Sequence, residues 1–285
     1  EGSASVASSS SEGTSRLVGC LVVSGASSGV GKTLVASCVS LALQRAGVVV
    51  QPFKVGPDFL DGKHLEKFSS GGGATRRPCV NLDGWLLGGR DQCVEAFQCA
   101  ARARYEGETG EEPIVALVEG CMGLYDGKDG CTEAGSTAEI AKWLGAPVIL
   151  VLDCSAMARS AAAQLRGFQL FDEGIRVPAT ILNKVFVSGM DSVDADHPPG
   201  AERFAELQRG SPHAQWLREA IGSSAAVLGA IPIWKSMDFP ERHLGLKYPS
   251  ECDNYKSLDL VSRHFLDSSE LLMLARSSRL PRTQD

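Results

Sequence analysis

The sequence is short of the features that mark several protein classes. No apolar run reaches the roughly 18 to 20 residues that a membrane-spanning helix requires. The longest, around Ala146 to Leu152, has the length of a buried strand. No block of like charge stands out, and 28 Lys and Arg against 34 Asp and Glu give a formal net charge of −6. The basic face on which non-specific DNA or RNA binding depends is missing, so neither a nucleic-acid partner nor a membrane partner is expected. The nine cysteines are odd in number and scattered, without a C-x-x-C pair. That removes the spacing of zinc ribbons and dithiol redox sites and leaves thiols of a reducing compartment, most of them buried. No internal repeat is present.

Large apolar groups are almost absent from residues 1–16, EGSASVASSSSEGTSR, so this segment is expected to be a disordered tail outside the fold. The chain opens on Glu rather than Met, which fits a trimmed product or a fragment. The expected location is cytoplasmic, or organellar if the tail is the remnant of a targeting segment.

What is present is enough apolar material for a sizeable core: 44% of 285 residues are hydrophobic. Short apolar runs at 17–24, 48–54, 114–120, 147–153, 177–183 and 226–232 alternate with amphipathic stretches at 32–46, 91–104, 136–144, 157–171 and 214–221. Strands apolar along their whole length are buried on both faces, and their alternation with helices predicts a parallel sheet with right-handed crossovers. The expected fold is therefore a three-layer α/β domain, a mostly parallel sheet flanked by helices, with ligands gathering at the carboxyl ends of the strands. Residues 187–210, polar and holding Pro198-Pro199, read as an inserted loop. Beyond Pro232 the alternation stops, and 258–276 reads as one amphipathic terminal helix.

The first strand leads into GASSGVGKT, residues 25–33. Backbone N–H groups from Ser28, Gly29, Val30, Gly31 and Lys32 can wrap a phosphate, Lys32 adds a charge, and the Thr33 hydroxyl reaches Mg²⁺. The common phosphate-binding loop has glycine at the position of Ala26, whereas here the glycine is Gly25, one step earlier. The second strand ends in PFKVGPDFLDGKH, which predicts that Lys54, Asp58, Asp61 and His64 emerge together on a turning loop, either aspartate being able to hold Mg²⁺. Glu119 ends an apolar strand, where an uncompensated carboxylate is costly and where a metal-directed acid sits in ATP-binding folds. Asp126 follows in the glycine-rich GCMGLYDG, as a ligand-side acid or a plain turn residue. Asn183 closes another strand and is able to pair with an adenine edge or simply end the strand.

Taken in order, KVGPDFLD, RPCVNLDGW, VEGCMGLYDG, GSTAEIAKWLGAPVILVLDCSAMARSAAA, ILNKV, GAIP and ERHLGL resemble the synthetase domain of the cobyrinic acid a,c-diamide synthase family. The resemblance runs from about Leu17 to about Leu246, with 187–210 set aside. That family groups with deethiobiotin synthetase-like P-loop NTPases, whose loop holds five residues between its first glycine and Gly-Lys-Thr, the spacing found from Gly25 to Thr33.

The resemblance implies an ATP-dependent amidoligase. ATP phosphorylates the a- and c-acetate carboxylates of a corrinoid, and ammonia displaces phosphate to leave amides. It implies ATP and Mg²⁺ as cofactors, with Lys32, Lys54, Asp61 and Asp126 in catalysis, and Thr33, Asp58 and Glu119 toward the metal. Asn183 and Pro232 of GAIP would frame adenine. Asp126, Ser136 and Thr137 would lie on the substrate side, with a helix cap as the other reading of Ser136. A homodimer is one assembly compatible with the family.

The sequence departs from the family at three places. Phe59 stands where tyrosine is frequent, FSSGGGATRRP is long and glycine-rich, and only about forty residues follow ERHLGL. A glutamine-hydrolysing domain is therefore not expected here, Cys252 reads as incidental, and nitrogen would come from free ammonia or from a partner's glutaminase. The competing expectations are a nickel-sirohydrochlorin diamidase, a deethiobiotin-type carboxylation, a nucleotide-switch ATPase and a scaffold that has lost catalysis. The switch proteins carry an additional early lysine in the loop, where this chain has Ala26, Ser27 and Ser28. Intact Lys32, Thr33, Asp58 and Glu119 speak against the scaffold.

Overall fold

The computed structural model describes residues 17–70, 77–105, 108, 111–237 and 254–281. The expectations for the 1–16 tail, the 71–76 glycine-rich stretch, the 241–246 block, the Phe59 side chain and Cys252 lie outside the described residues.

Seven strands form one sheet: β1 (Leu17–Gly25), β2 (Val49–Val55), β3 (Val80–Leu82), β4 (Ile114–Glu119), β5 (Val148–Asp153), β6 (Ala179–Val185) and β7 (Ala226–Pro232). Their order is β3-β2-β4-β1-β5-β6-β7, and every pairing is parallel. The most apolar runs are central: Cys20 to Val23 of β1 and Val148 to Leu152 of β5 have no solvent exposure. Such strands must be covered on both faces.

The covering helices are α1 (Lys32–Arg45), α2 (Phe59–Ser69), α3 (Arg90–Arg102), α4 (Thr137–Leu144), α5 (Ser160–Phe171), α6 (Ala201–Arg209), α7 (Pro212–Ile221), α8 (Tyr255–His264) and α9 (Ser268–Arg276). The chain leaves β1 toward β2 on one side, returns to insert β4 between them, and then continues through β5 to β7 on the other. The carboxyl ends of β1, β4 and β5 therefore meet at the crevice where the strand order reverses, the usual ligand position in such sheets.

Three expectations are corrected. The polar segment 187–210 is not simply a loop: a short 3-10 turn spans Met190–Ser192 and α6 spans Ala201–Arg209. Phe204 and Leu207, one helical turn apart, and Met190 are buried, and the abundant charge around them masked that sparse apolar stripe.

The terminal segment is two helices, not one. Asp267 caps α9 by accepting from the Ser269 and Glu270 N–H groups, and its own N–H donates to Leu228 O at 3.1 Å. Leu266 pairs with Gly229 of β7, where any Cβ would press on Phe265 O at 2.6 Å. The apolar period runs through this break, so periodicity could not reveal it.

The segment after β2 is likewise a helix, α2. Its Gly56-Pro57 turn suggested a loop, but Leu65 and Phe68 are fully buried at helical spacing, and Asp58 caps the helix by accepting from Leu60 N and Asp61 N at 3.1 and 3.2 Å. The edge strand β3 was also not expected; it is three residues long and only its Leu82 is buried among them, too little for an apolar run to register.

Candidate active site

The phosphate loop spans the gap between β1 and α1. Gly29 and Gly31 have φ of +78° and +90°, conformations that L side chains rarely adopt. The N-cap of α1 is Gly31, which has no side chain to cap the helix, so the first N–H groups are left to an anion, with the helix dipole behind them. Ser27 to Gly29 are exposed while Val30 is buried, folded back so that a Cβ on Gly25 would strike Val30 Cγ2. The Lys32 ammonium reaches over the loop to donate to Ser27 O at 3.0 Å. Burial, followed by the nearby Lys54 charge, lowers the Lys32 pKa.

Register places the charged ends of β2 and β4 side by side, Lys54 opposite Glu119. Glu119 is wholly buried. Its Oε1 accepts from the Thr33 hydroxyl at 2.7 Å and from Lys54 Nζ at 3.0 Å, while its Oε2 has no partner among the described residues. Lys54 Nζ also donates to Gly120 O at 2.9 Å and lies 3.4 Å from Asp61 Oδ2. Burial alone would discharge Lys54, but Glu119 and Asp61 outweigh it, and the net pKa is raised. Burial pushes the Glu119 carboxyl above the carboxylate range and Asp61 adds to that, against the pull of Lys54 and Thr33. The outcome is a buried ammonium held firmly charged beside an acid whose second oxygen is unmatched.

The structure thus brings Lys32, Thr33, Lys54, Asp61 and Glu119 together and places other expected residues at its edge. Asp58 caps α2 rather than projecting from a loop, and Asp61 and His64 lie on α2 itself; the charge of Asp58 still contributes to holding Lys54 protonated. Asp126 closes its own turn, accepting from Gly123 N at 2.9 Å. That turn is stitched to the phosphate loop, since Leu124 N donates to Gly25 O at 2.9 Å. Ser136 is the cap of α4, accepting from Glu139 N at 3.1 Å. Thr137 Oγ1 braces the β4 loop by accepting from Cys121 N at 3.1 Å and donating to Cys121 O. Neither Ser136 nor Thr137 has solvent exposure. Pro232 ends β7, paired with Val185.

At the end of β6, Asn183 is 3% exposed and donates from Nδ2 to Val30 O at 2.8 Å. Sequence reasoning passed over its neighbour. Lys184 Nζ lies 2.6 Å from Asp153 Oδ2 and donates to Gly29 O at 3.3 Å. Lys184 has a left-handed backbone, φ +57°. The only sequence signal was a lysine directly after a strand-ending asparagine, which spacing alone does not distinguish from a solvated surface lysine.

The donor set fits a magnesium ion. Mg²⁺ prefers oxygen ligands, keeps several waters, and needs one or two protein oxygens beside those of phosphate. An unmatched buried carboxylate oxygen next to the Thr33 hydroxyl supplies that. Among the described residues no group of three or more His, Cys, Asp or Glu side chains could hold a metal without such help, and no helix is long and apolar enough to cross a membrane.

Residues 21–195 match the family described as the CobQ/CobB/MinD/ParA nucleotide binding domain. Among curated relatives, the cobyrinate a,c-diamide synthase of Syntrophotalea carbinolica is 40% identical over 228 residues, covering 79% of this chain and 41% of that protein. The enzyme of the same name from Dehalococcoides mccartyi is 37% identical over 264 residues, 90% of this chain and 49% of the relative. The hydrogenobyrinate a,c-diamide synthase of Mycobacterium tuberculosis strain H37Rv is 38% identical over 235 residues, 80% and 43% of the two chains. The chain spans less than half the length of each of these relatives.

Proposed function

We propose that this chain, which belongs to the CobQ/CobB/MinD/ParA nucleotide-binding family, is the ATP-using part of an amidoligase that converts the a- and c-acetate carboxylates of cobyrinic acid or a close corrinoid to amides. The observation that carries the reading is the Thr33–Glu119–Lys54–Asp61 cluster beside the phosphate loop, with Glu119 and Lys54 buried at its centre. It is accompanied by relatives whose names are those of a,c-diamide synthases.

A carboxylate cannot accept ammonia directly, because oxide is not a leaving group. Transfer of the γ-phosphoryl group of ATP to the carboxylate forms an acyl phosphate and releases ADP. Ammonia then adds to the carbonyl carbon, loses a proton, and expels inorganic phosphate to leave the amide. The phosphoryl group carries its charge on its outer oxygens during transfer, so the protein's work is to position the groups and neutralise that charge.

Lys32 reaches over the loop that holds the phosphates, and the charged Lys54 waits at the adjoining strand end. Asp61 retains 20% side-chain exposure against none for Glu119. It is thus the acid placed to take the proton that ammonia sheds. Thr33 and Glu119, with Asp58 nearby, would hold magnesium, and the ion would supply charge neutralisation to the phosphates. Nitrogen would come from free ammonia or from the hydrolysis of glutamine.

The test is to incubate the chain with cobyrinic acid, ATP and Mg²⁺, with ammonium or glutamine, and to follow ADP together with product mass. Two successive amidations with ammonium, abolished by EDTA, are expected. Normal ATP binding with no mass change in any tetrapyrrole would overturn the reading in favour of a nucleotide switch.

A further inference from the structure

We infer that Lys184 is a positioning residue of the nucleotide site, which holds the phosphate loop from behind by its carbonyls so that the loop's N–H groups face the phosphates. The peptide planes of the loop are the issue. In a flexible glycine-rich segment each plane can rotate, and a rotated plane presents a carbonyl oxygen to an anion in place of a donor.

Here two consecutive carbonyls are tied down from β6. Asn183 Nδ2 takes Val30 O at 2.8 Å, and Lys184 Nζ takes Gly29 O at 3.3 Å. Gly31 lies so close to Asn183 that a Cβ there would collide with Nδ2, so the loop packs directly on β6 at the next residue too.

Lys184 is itself anchored. Asp153, at the end of the neighbouring strand β5, pairs with its ammonium at 2.6 Å, and the other oxygen of Asp153 accepts from Ser155 N and Oγ at 3.0 and 2.7 Å. The backbone supports the assignment too. The pairing of β6 with β7 shifts register between Leu182 and Val185, and within that irregularity Lys184 adopts φ +57°. A lysine in that region carries a conformational cost that glycine would not, and its side chain meets the loop at Gly29 O.

The inference rests on the reading that nucleotide phosphates occupy residues 25–33, and its test keeps the two apart. Wild-type protein is titrated with a fluorescent ATP analogue, then competed with Mg-ATP and with inorganic tripolyphosphate, which has no base or sugar. If the wild type binds neither, the phosphate-loop reading fails. If it binds both, Lys184→Gly should lose about tenfold in affinity for each, by the same factor, the size of one charge-assisted hydrogen bond.

Because glycine suits φ +57°, the same variant should keep or raise its unfolding temperature, a combination that a merely structural lysine would not produce. Lys184→Arg should restore binding, since guanidinium can serve both Asp153 and Gly29 O. Loss confined to Mg-ATP with tripolyphosphate binding intact would assign Lys184 to the nucleoside instead. Unchanged affinity for both ligands would sink the proposal outright.

Discussion

Replacing Glu119 by glutamine tests the centre of the site. Glutamine preserves shape, and its carbonyl oxygen can keep the bonds from Thr33 and Lys54 that Oε1 accepts at 2.7 and 3.0 Å. Lost are the negative charge and the unpartnered Oε2.

For stability the two effects oppose each other. The attraction across 3.0 Å is worth about 5 kcal/mol at an effective dielectric near 20, and removing the carboxylate from water costs a similar several kcal/mol. Lys54 also keeps Gly120 O and Asp61. The expected change in unfolding free energy is therefore within about 2 kcal/mol at neutral pH.

For catalysis nothing compensates if, as proposed, that charge faces the metal; turnover should then fall at least ~10³-fold, about 4 kcal/mol of transition-state stabilisation.

The pH dependence sharpens the test. Burial raises the pKa of Glu119 in the folded state, so the folded protein holds this proton over a window above the ordinary Glu range where the unfolded chain has released it. The stability this group contributes is full below the unfolded pKa and is lost as pH rises through the folded one. The variant should accordingly gain on the wild type as pH rises, and match it at acid pH where Glu119 is neutral. Wild-type activity should drop on the acid side as Glu119 takes up its proton, and the variant's residual activity should lack that limb. ADP release measured from pH 5 to 9, with thermal unfolding of both proteins, decides it. An active Glu119→Gln variant would refute the role of the charge in turnover, and a wild-type stability that climbs through the window because of this residue would refute the raised pKa.

Two further substitutions probe loop and scaffold. Gly31→Ala places a Cβ against Asn183 Nδ2 at a φ of +90°. Nucleotide affinity should fall by tenfold or more while the far-ultraviolet circular dichroism is retained, and unchanged binding of a fluorescent ATP analogue would contradict the loop geometry. Arg77 is 2% exposed, forks onto both Glu108 oxygens at 2.7 and 2.8 Å, and donates to Gln51 Oε1 at 2.9 Å. Arg77→Met should cost about 3–5 kcal/mol in chemical denaturation by leaving the buried Glu108 uncompensated, with Arg77→Lys recovering only part because an ammonium lacks the fork.

The legible parts of this protein were those whose signal is local. Strands such as IVALVE and VILVLD are apolar on both faces, so their lengths and the parallel sheet followed from burial alone. Gly-Lys-Thr after a strand was legible for the same reason as the turn between β1 and α1. What escaped depended on contacts distant in sequence. The break between α8 and α9 exists because Leu266 docks on Gly229 of β7, although Asp267 and Glu270 carried the spacing of a helix start. Lys184 looked like a surface lysine until β5 and the phosphate loop were brought to it. Ser136 and Thr137 were attractive polar residues in a glycine-rich setting, yet both are buried in bracing roles. A polar type at a promising position says little about which way the side chain is turned.

The glycine displaced from its usual place in the loop has a physical reason. Gly25 is the last residue of β1, and its carbonyl accepts from Leu124 N at 2.9 Å, so the strand end is tied to the turn that follows Glu119. The longer loop then folds the Val30 side chain back onto Gly25, where no Cβ fits. That places an apolar plug under the loop, buried with 4% exposure, while Ser27 to Gly29 stay outside. Alanine suffices at position 26 because the constraint has moved one residue along the chain. The buried Val30 side chain and the β6 contacts to the Gly29 and Val30 carbonyls hold the same loop from two sides, and altering either should weaken anion binding before it disturbs the sheet.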